Sequence, residues 1–246
     1  MCLNFIPTQN RIWVETEFSV SLPKKFREEI YPSYYCPIIR AAFDSGKYIC
    51  NLAHFGLIPS WAKGLNLNRH TYNIKSESMT ADHDIEFHRN TFNARCETVS
   101  SKPSFRSAWG HRHFALVVID SFMQPNYETG SAVRWRVHKE DGTPFALACL
   151  WERWTDVEMG EDIISFSILT RDASTHPLLS RFHKPGDAKR MPIIIPDLYL
   201  HSWLEASLKK ASEIILLDPP IDLIAEPFPK ELKVKKIIKL IPMSVE

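Results

Sequence analysis

The residue with the clearest chemical potential stands at the start of the chain, where Cys2 follows the initiator methionine. A small side chain in that place normally permits removal of Met1, which would leave a free α-amine and a thiol on adjacent carbons of one residue. An aldehyde can condense with such an amine to an imine, and the thiol can then close a five-membered thiazolidine ring. Both groups have ordinary pKa values of about 8 to 8.5, so neutral amine and thiolate are both available near neutral pH. Taken by itself, a second-position cysteine reads far more readily as an inert thiol. Basic side chains interleaved with aromatics suit a nucleic-acid strand, with cations on phosphates and rings on bases. Lys102, Phe105, Arg106, Trp109, His111, Arg112 and His113 form one such cluster, and Phe55, Pro59, Trp61 and Lys63 another. Each also fits a plainer description, in which Trp61 and Phe105 anchor a core and the flanking charges are solvated.

The elements that must position these residues read mainly as strands. β-Branched and aromatic content marks Tyr48 to Phe55, Phe114 to Ile119, Val133 to His138, Phe145 to Trp151 and Ile163 to Thr170, with turn-forming stretches such as Glu140-Asp141-Gly142-Thr143-Pro144 between them. Helical signals are fewer: Pro23 to Ile30, Pro103 to Trp109, and Asp197 to about Lys209, where Leu200, Trp203, Leu204 and Leu208 form an apolar stripe. The reading is an α+β fold with a predominantly antiparallel, curved or barrel-like sheet and peripheral helices. One domain over residues 1–246 is expected, with the stretch 210–246 peripheral to it. The lysine-rich tail from Lys230 to Lys239 reads as a protected edge strand in preference to a nucleic-acid patch.

Composition bounds the function classes. The 246 residues are 44% hydrophobic and 24% charged, enough apolar material for a sizeable core. No run approaches the roughly 18 apolar residues needed to cross a bilayer, and the amino terminus lacks the layout of a secretory signal, so a cytoplasmic, nucleoid-associated location with no membrane partner is expected. The five cysteines are odd in number and include no C-x-x-C pair, which argues against a disulfide framework or a zinc site. With no glycine-rich phosphate loop, dinucleotide fingerprint or paired metal-ligand spacing, no cofactor is expected. The net charge of +1 is neutral evidence on nucleic acid, because phosphate binding needs a local basic surface rather than a basic total.

Six further segments occur in order: Phe55-Gly56-Leu57-Ile58-Pro59-Ser60-Trp61-Ala62-Lys63, Asn93-Ala94-Arg95-Cys96-Glu97-Thr98, Lys102-Pro103-Ser104-Phe105-Arg106, Pro144-Phe145-Ala146-Leu147-Ala148-Cys149-Leu150-Trp151-Glu152, Phe166-Ser167-Ile168-Leu169-Thr170 and Arg190-Met191-Pro192-Ile193-Ile194-Ile195. Together with Met1-Cys2 they resemble the SRAP family, the SOS response-associated peptidase proteins that recognise abasic sites in single-stranded DNA. The resemblance runs from Cys2 to about Trp203. It implies an SRAP-type fold around a narrow, positively charged cleft, and covalent bonding of the N-terminal cysteine to the ring-opened aldehyde of an abasic site. It further implies that Asn93 orients the terminal residue and the sugar, that Arg95 pairs with a phosphate, and that His183, in Ser180-Arg181-Phe182-His183, shuttles a proton. Single-stranded DNA with abasic sites is then the partner, Trp61, Lys63, Phe105 and Arg106 join Arg95 in contacting it, and a monomer is expected.

Two departures from the family pattern bear on mechanism. Where the family carries a stretch like Asp-Gly-Phe-Tyr-Glu, this chain has Asp120-Ser121-Phe122-Met123-Gln124, so a glutamine that cannot carry a proton stands in the glutamate's place, unless Glu128 reaches the site. The opening Met-Cys-Leu-Asn replaces the commoner Met-Cys-Gly-Arg and removes a basic side chain close to the nucleophile. Two other functions stay open at this point: an N-terminal-nucleophile cysteine peptidase with self-processing activity, and a non-catalytic single-stranded DNA-binding module.

Overall fold

A computed structural model describes residues 4–42, 46–62, 91–155, 160, 162–217 and 222–230. Among them the strands are β1 (Phe5–Pro7), β2 (Tyr35–Ala41), β3 (Tyr48–Phe55), β4 (Asn93–Arg95), β5 (Phe114–Asn126), β6 (Val133–Lys139), β7 (Phe145–Thr155), β8 (Asp162–Asp172), β9 (Arg190–Pro192), β10 (Ile194–Ile195) and β11 (Leu223–Pro227). The α-helices are α1 (Arg11–Phe18), α2 (Arg106–Gly110), α3 (Leu200–Leu204) and α4 (Leu208–Ile214). Strands β5, β7, β8, β3 and β2 pair in that order and β2 returns to β5, so the sheet closes into a barrel. Only the β3–β8 and β4–β8 pairs are parallel. Closure removes the exposed edges that an open sheet would present. Beyond the ring, β6 and β11 extend the sheet from β5, while β4 and β9 flank β8 and β10 flanks β7.

Residues 145–151 of β7 and 114–119 of β5 are buried on both faces, which explains why these stretches run apolar without alternating with polar residues. Along β7, Phe145, Leu147, Cys149 and Trp151 fill the barrel interior with Ala115, Val117 and Ile119 of β5. The intervening Ala146, Ala148 and Leu150 face outward with Leu116 and Val118 against Trp109, Leu200 and Trp203 of the helical layer. Trp203 also donates its indole N–H to the Ala115 carbonyl at 2.9 Å, pinning α3 to the barrel wall.

One irregularity in β5 matters for everything that follows. Pro7 and Ile6 of β1 pair with Ile119 and Ser121, so Asp120 is an extra residue on the β5 side. An extra residue reverses which side chains point inward. Before it the odd-numbered residues face the interior; after it Phe122 joins the interior cluster, and Gln124 and Asn126 share its face.

Several elements differ from the sequence reading. Pro23 to Ile30 is not helical: Ile30 exchanges backbone hydrogen bonds with Phe5 at 2.8 and 3.2 Å, and Arg11 takes the carbonyls of Leu22, Pro23 and Lys24. Eight residues of helical pattern cannot outweigh such tertiary bonds, because a short helix is marginal alone. The expected long helix from Asp197 is a 3₁₀ turn (Asp197–Tyr199) followed by α3 and α4, which restarts at Ser207, whose hydroxyl accepts the Lys210 N–H at 3.2 Å. Strand β2 was unread because Pro37 interrupts it, and α1 despite its cap, where Asn10 accepts the Trp13 N–H at 3.0 Å. In the carboxy-terminal stretch, β11 pairs with β6 and so belongs to the sheet; of the lysine-rich tail only Lys230 lies within the described residues.

Candidate functional site

Strands β5 and β8 both run antiparallel to β7, so their carboxy-terminal ends, Asn126 and Asp172, open on the same side of the barrel. The polar residues gather there. Gln124 and Asn126 are 2% and 1% exposed, and neither the Gln124 Oε1 nor the Asn126 Nδ2 has a hydrogen-bond partner. The Asn126 Oδ1 accepts the Glu128 N–H at 2.9 Å, which fixes the orientation of its amide.

His183 is docked onto this strand end by its backbone. Its N–H donates to the Pro125 carbonyl at 2.9 Å, Phe182 bridges to Asn126, and the Lys189 ammonium donates to the carbonyls of Phe182 and His183 at 2.6 and 3.0 Å. The residue sits at φ 73°, a left-handed conformation that a non-glycine residue holds only when its surroundings enforce it. Arg181 adds a two-pronged bond to Glu128 at 2.9 and 3.0 Å. Burial pushes the His183 imidazole down to a pKa of about 4, with the positive charge of the amino terminus acting the same way, so the ring is neutral at neutral pH and able to accept a proton. Glu128 is committed to Arg181, whose guanidinium holds its carboxyl below the ordinary range.

Asn93 opens β4, which takes over the edge of β8 beyond the point where β3 leaves it. It pairs with Ile168, an interior residue, and is half-buried, while Arg95, two residues on, pairs with Thr170 and is exposed. Strand β9 lies beside the same stretch of β8, and Lys189 immediately before it holds His183. The β8 flank and the His183 segment are thereby tied to one end of the barrel.

Cys2 and Lys63 lie outside the described residues. The Asn4 carbonyl accepts the Met123 N–H at 2.8 Å, one residue before Gln124. The Asn4 side chain donates to the Ile30 carbonyl at 3.1 Å and accepts from the Arg134 guanidinium at 2.9 Å. Arg134 of β6 thus brings a guanidinium to Asn4 from across the sheet, a contact that no local motif reveals.

The two basic-aromatic clusters meet in part. Trp61, 51% exposed, donates its indole N–H to the Pro103 carbonyl at 3.3 Å, next to Phe105 and Arg106. Phe105 is enclosed in the outer core and Arg106 is exposed at the start of α2. This patch is anchored on the opposite half of β7, where Trp154 donates to the Ala62 carbonyl at 2.8 Å, and not at the His183 end. Among the described residues no group of three or more His, Cys, Asp or Glu could hold a metal ion, and no helix is long and apolar enough to cross a membrane. Asn126, Arg134 and Lys189 went unread; the inward face of β5 after the bulge is the signal for the first, and nothing local marks the others.

The family model of the SOS response associated peptidase (SRAP) matches residues 79–241, about two thirds of the chain. The chain belongs to the SRAP family. The match takes in Asn93, Arg95, Gln124 and His183 and begins after Cys2, Trp61 and Lys63. Among curated proteins, the chain is 26% identical over 181 residues to the abasic site processing protein YoqW of Bacillus subtilis, covering 72% of this chain and 68% of YoqW. It is 31% identical over 113 residues to YobE of the same organism, covering 46% of this chain and 48% of YobE. A crystal structure of a Bordetella bronchiseptica protein superposes with a TM-score of 0.79 at 26% identity, covering 93% of this chain and 100% of that one. A Bacteroides thetaiotaomicron protein superposes with a TM-score of 0.69 at 21% identity over 92% of this chain and 91% of its own, which shows the shared fold. SRAP membership thus agrees with the barrel and with the order of motifs along it.

Proposed function

We propose that the protein is an abasic-site sensor that captures single-stranded DNA covalently through Cys2, in response to DNA damage. With Met1 removed, the Cys2 amine attacks the C1′ aldehyde of the ring-opened deoxyribose and water leaves, giving an imine. The Cys2 sulfur then adds to the imine carbon while the nitrogen takes up a proton, closing a thiazolidine ring; the net change is loss of one water. The neutral imidazole of His183 relays protons in these steps, Asn93 orients the reacting residue and the sugar, and Gln124 contributes hydrogen bonds without proton transfer. Arg95 takes a phosphate, and Trp61, Lys63 and Arg106 contact the flanking strand, while Phe105, enclosed in the outer core, supports them from below. The protein acts as a monomeric unit in the cytoplasm at the nucleoid.

The observation that carries this reading is the convergence on one barrel end of a neutral, backbone-clamped His183, an inward Gln124 and the start of β1, three residues after Cys2 in sequence. The names of the curated relatives, abasic site processing proteins, support the same substrate. Incubation of the mature protein with a single-stranded oligonucleotide carrying a uracil-derived abasic site is expected to give an adduct that survives heat and denaturant, and Cys2→Ala to give none. A complex that dissolves as salt rises marks a reversible binding module instead. Intact mass is expected to show loss of Met1 alone; further cleavage marks self-processing.

A further inference from the structure

The interior of the barrel is lined by apolar side chains, and Gln124 and Asn126 interrupt it on the very face that Phe122 occupies. A buried amide atom without a partner is costly, whereas an apolar side chain of similar size at the same place would cost nothing of the kind. Asn126 is the more telling of the two. Its Oδ1 is spent on the Glu128 N–H, so the amide cannot rotate to exchange its ends, and the donor Nδ2 is left enclosed with no acceptor among the described residues. Two residues earlier, on the same face, the Gln124 Oε1 is an acceptor with no donor. Strand geometry spaces the two backbones by about 7 Å, within reach of one small group held between the side-chain ends. The segment that carries His183 is bonded to the same stretch of backbone through Pro125 and Asn126.

We propose that Asn126 is a substrate-binding residue whose Nδ2 donates a hydrogen bond to a hydroxyl oxygen of the captured sugar, with Gln124 as the acceptor on the other side. An uncharged donor and an uncharged acceptor match a neutral hydroxyl and match neither a phosphate nor a cation. Opening the deoxyribose ring frees such a hydroxyl when it frees the aldehyde, so the pair recognises the opened form. This inference rests on the capture reading given above.

Two variants separate substrate binding from a purely structural role. Asn126→Asp keeps an acceptor for the Glu128 N–H and removes the donor, while Asn126→Ala removes both. Adduct formation with the abasic oligonucleotide is followed at saturating DNA, alongside the half-saturating concentration and the thermal midpoint of each protein. Both variants are expected to slow adduct formation at saturation about tenfold, the worth of one hydrogen bond in the reacting complex. Asn126→Asp is expected to lower the thermal midpoint, because it encloses a carboxyl group with one oxygen unpartnered, so its rate is compared per folded molecule. Wild-type rates in Asn126→Asp, whether Asn126→Ala is impaired or fails to fold, overturn the inference and leave covalent capture standing. A wild-type protein that forms no adduct overturns capture itself, and this inference with it.

Discussion

The two ends of the barrel treat buried polar groups in opposite ways. At the end where β5 begins, a cavity of about 230 Å³ is bordered by Phe114, Trp151, His113, Arg112 and Glu205. There the protein supplies the partner: Arg40, 7% exposed, donates to Asn51 at 2.8 Å and lies over the Trp151 ring at 4.1 Å. At the end where β5 finishes, Gln124 and Asn126 keep unpartnered atoms and His183 is held in a left-handed conformation. One strand thus runs from a region closed for stability to a region left incomplete, as expected where a ligand must complete the bonding.

Breaking the closed end is expected to have the largest effect on stability. Trp151→Ala removes a ring 4% exposed inside the barrel and should cost about 3–5 kcal/mol in denaturant unfolding, with unchanged adduct formation per folded molecule. His183→Ala should do the reverse. Losing the proton relay is expected to slow adduct formation about 100-fold near pH 7, measured by denaturing gel, with stability within about 1 kcal/mol of the parent.

Acid sharpens the contrast. Burial pushes both His183 and His54 down to a pKa of about 4, and the His54 Nδ1–H donates to the Gly56 carbonyl at 3.0 Å. The unfolded chain takes up protons first, from about pH 6.5 downward, so stability is fully present above that pH and is lost as pH falls toward 4. For His54, 3% exposed, this loss is on the order of 2–3 kcal/mol, and His54→Gln should flatten the decline in unfolding midpoint between pH 6.5 and 4. Adduct formation should instead decline from about pH 8, following the terminal amine and thiol, because His183 stays in its base form throughout that range. The smallest effect is expected from Gln124→Leu: replacing an enclosed, unpartnered amide by an apolar group should raise stability by about 1 kcal/mol in denaturant unfolding while slowing adduct formation.

The strands at the heart of the barrel were legible because double-sided burial writes itself into composition. Tyr48–Phe55 was read to the residue and β7 and β8 fell short only at their ends, but of β5 only Phe114 to Ile119 was read, the part before the bulge, and the strand continues to Asn126 through its pairing with β6. Pro23 to Ile30 misled because its local pattern is helical while its carbonyls are claimed by Arg11, a residue more than ten positions away. The candidate residues Asn93, Arg95, Gln124 and His183 were marked by the ordered motifs that hold them. The shape around them was not legible: the bulge at Asp120 that turns Gln124 and Asn126 inward depends on the register of β1, and Arg134 reaches Asn4 from a separate strand.

By itself, then, the order of residues determined the barrel-forming strands, the family and the reactive pair of groups on Cys2, because burial pattern and functional-group identity are local properties of a chain. Which polar side chains face one another, which are sealed by the protein and which stay open for a ligand was decided only on folding, since register, strand shear and backbone docking are set by partners distant in sequence.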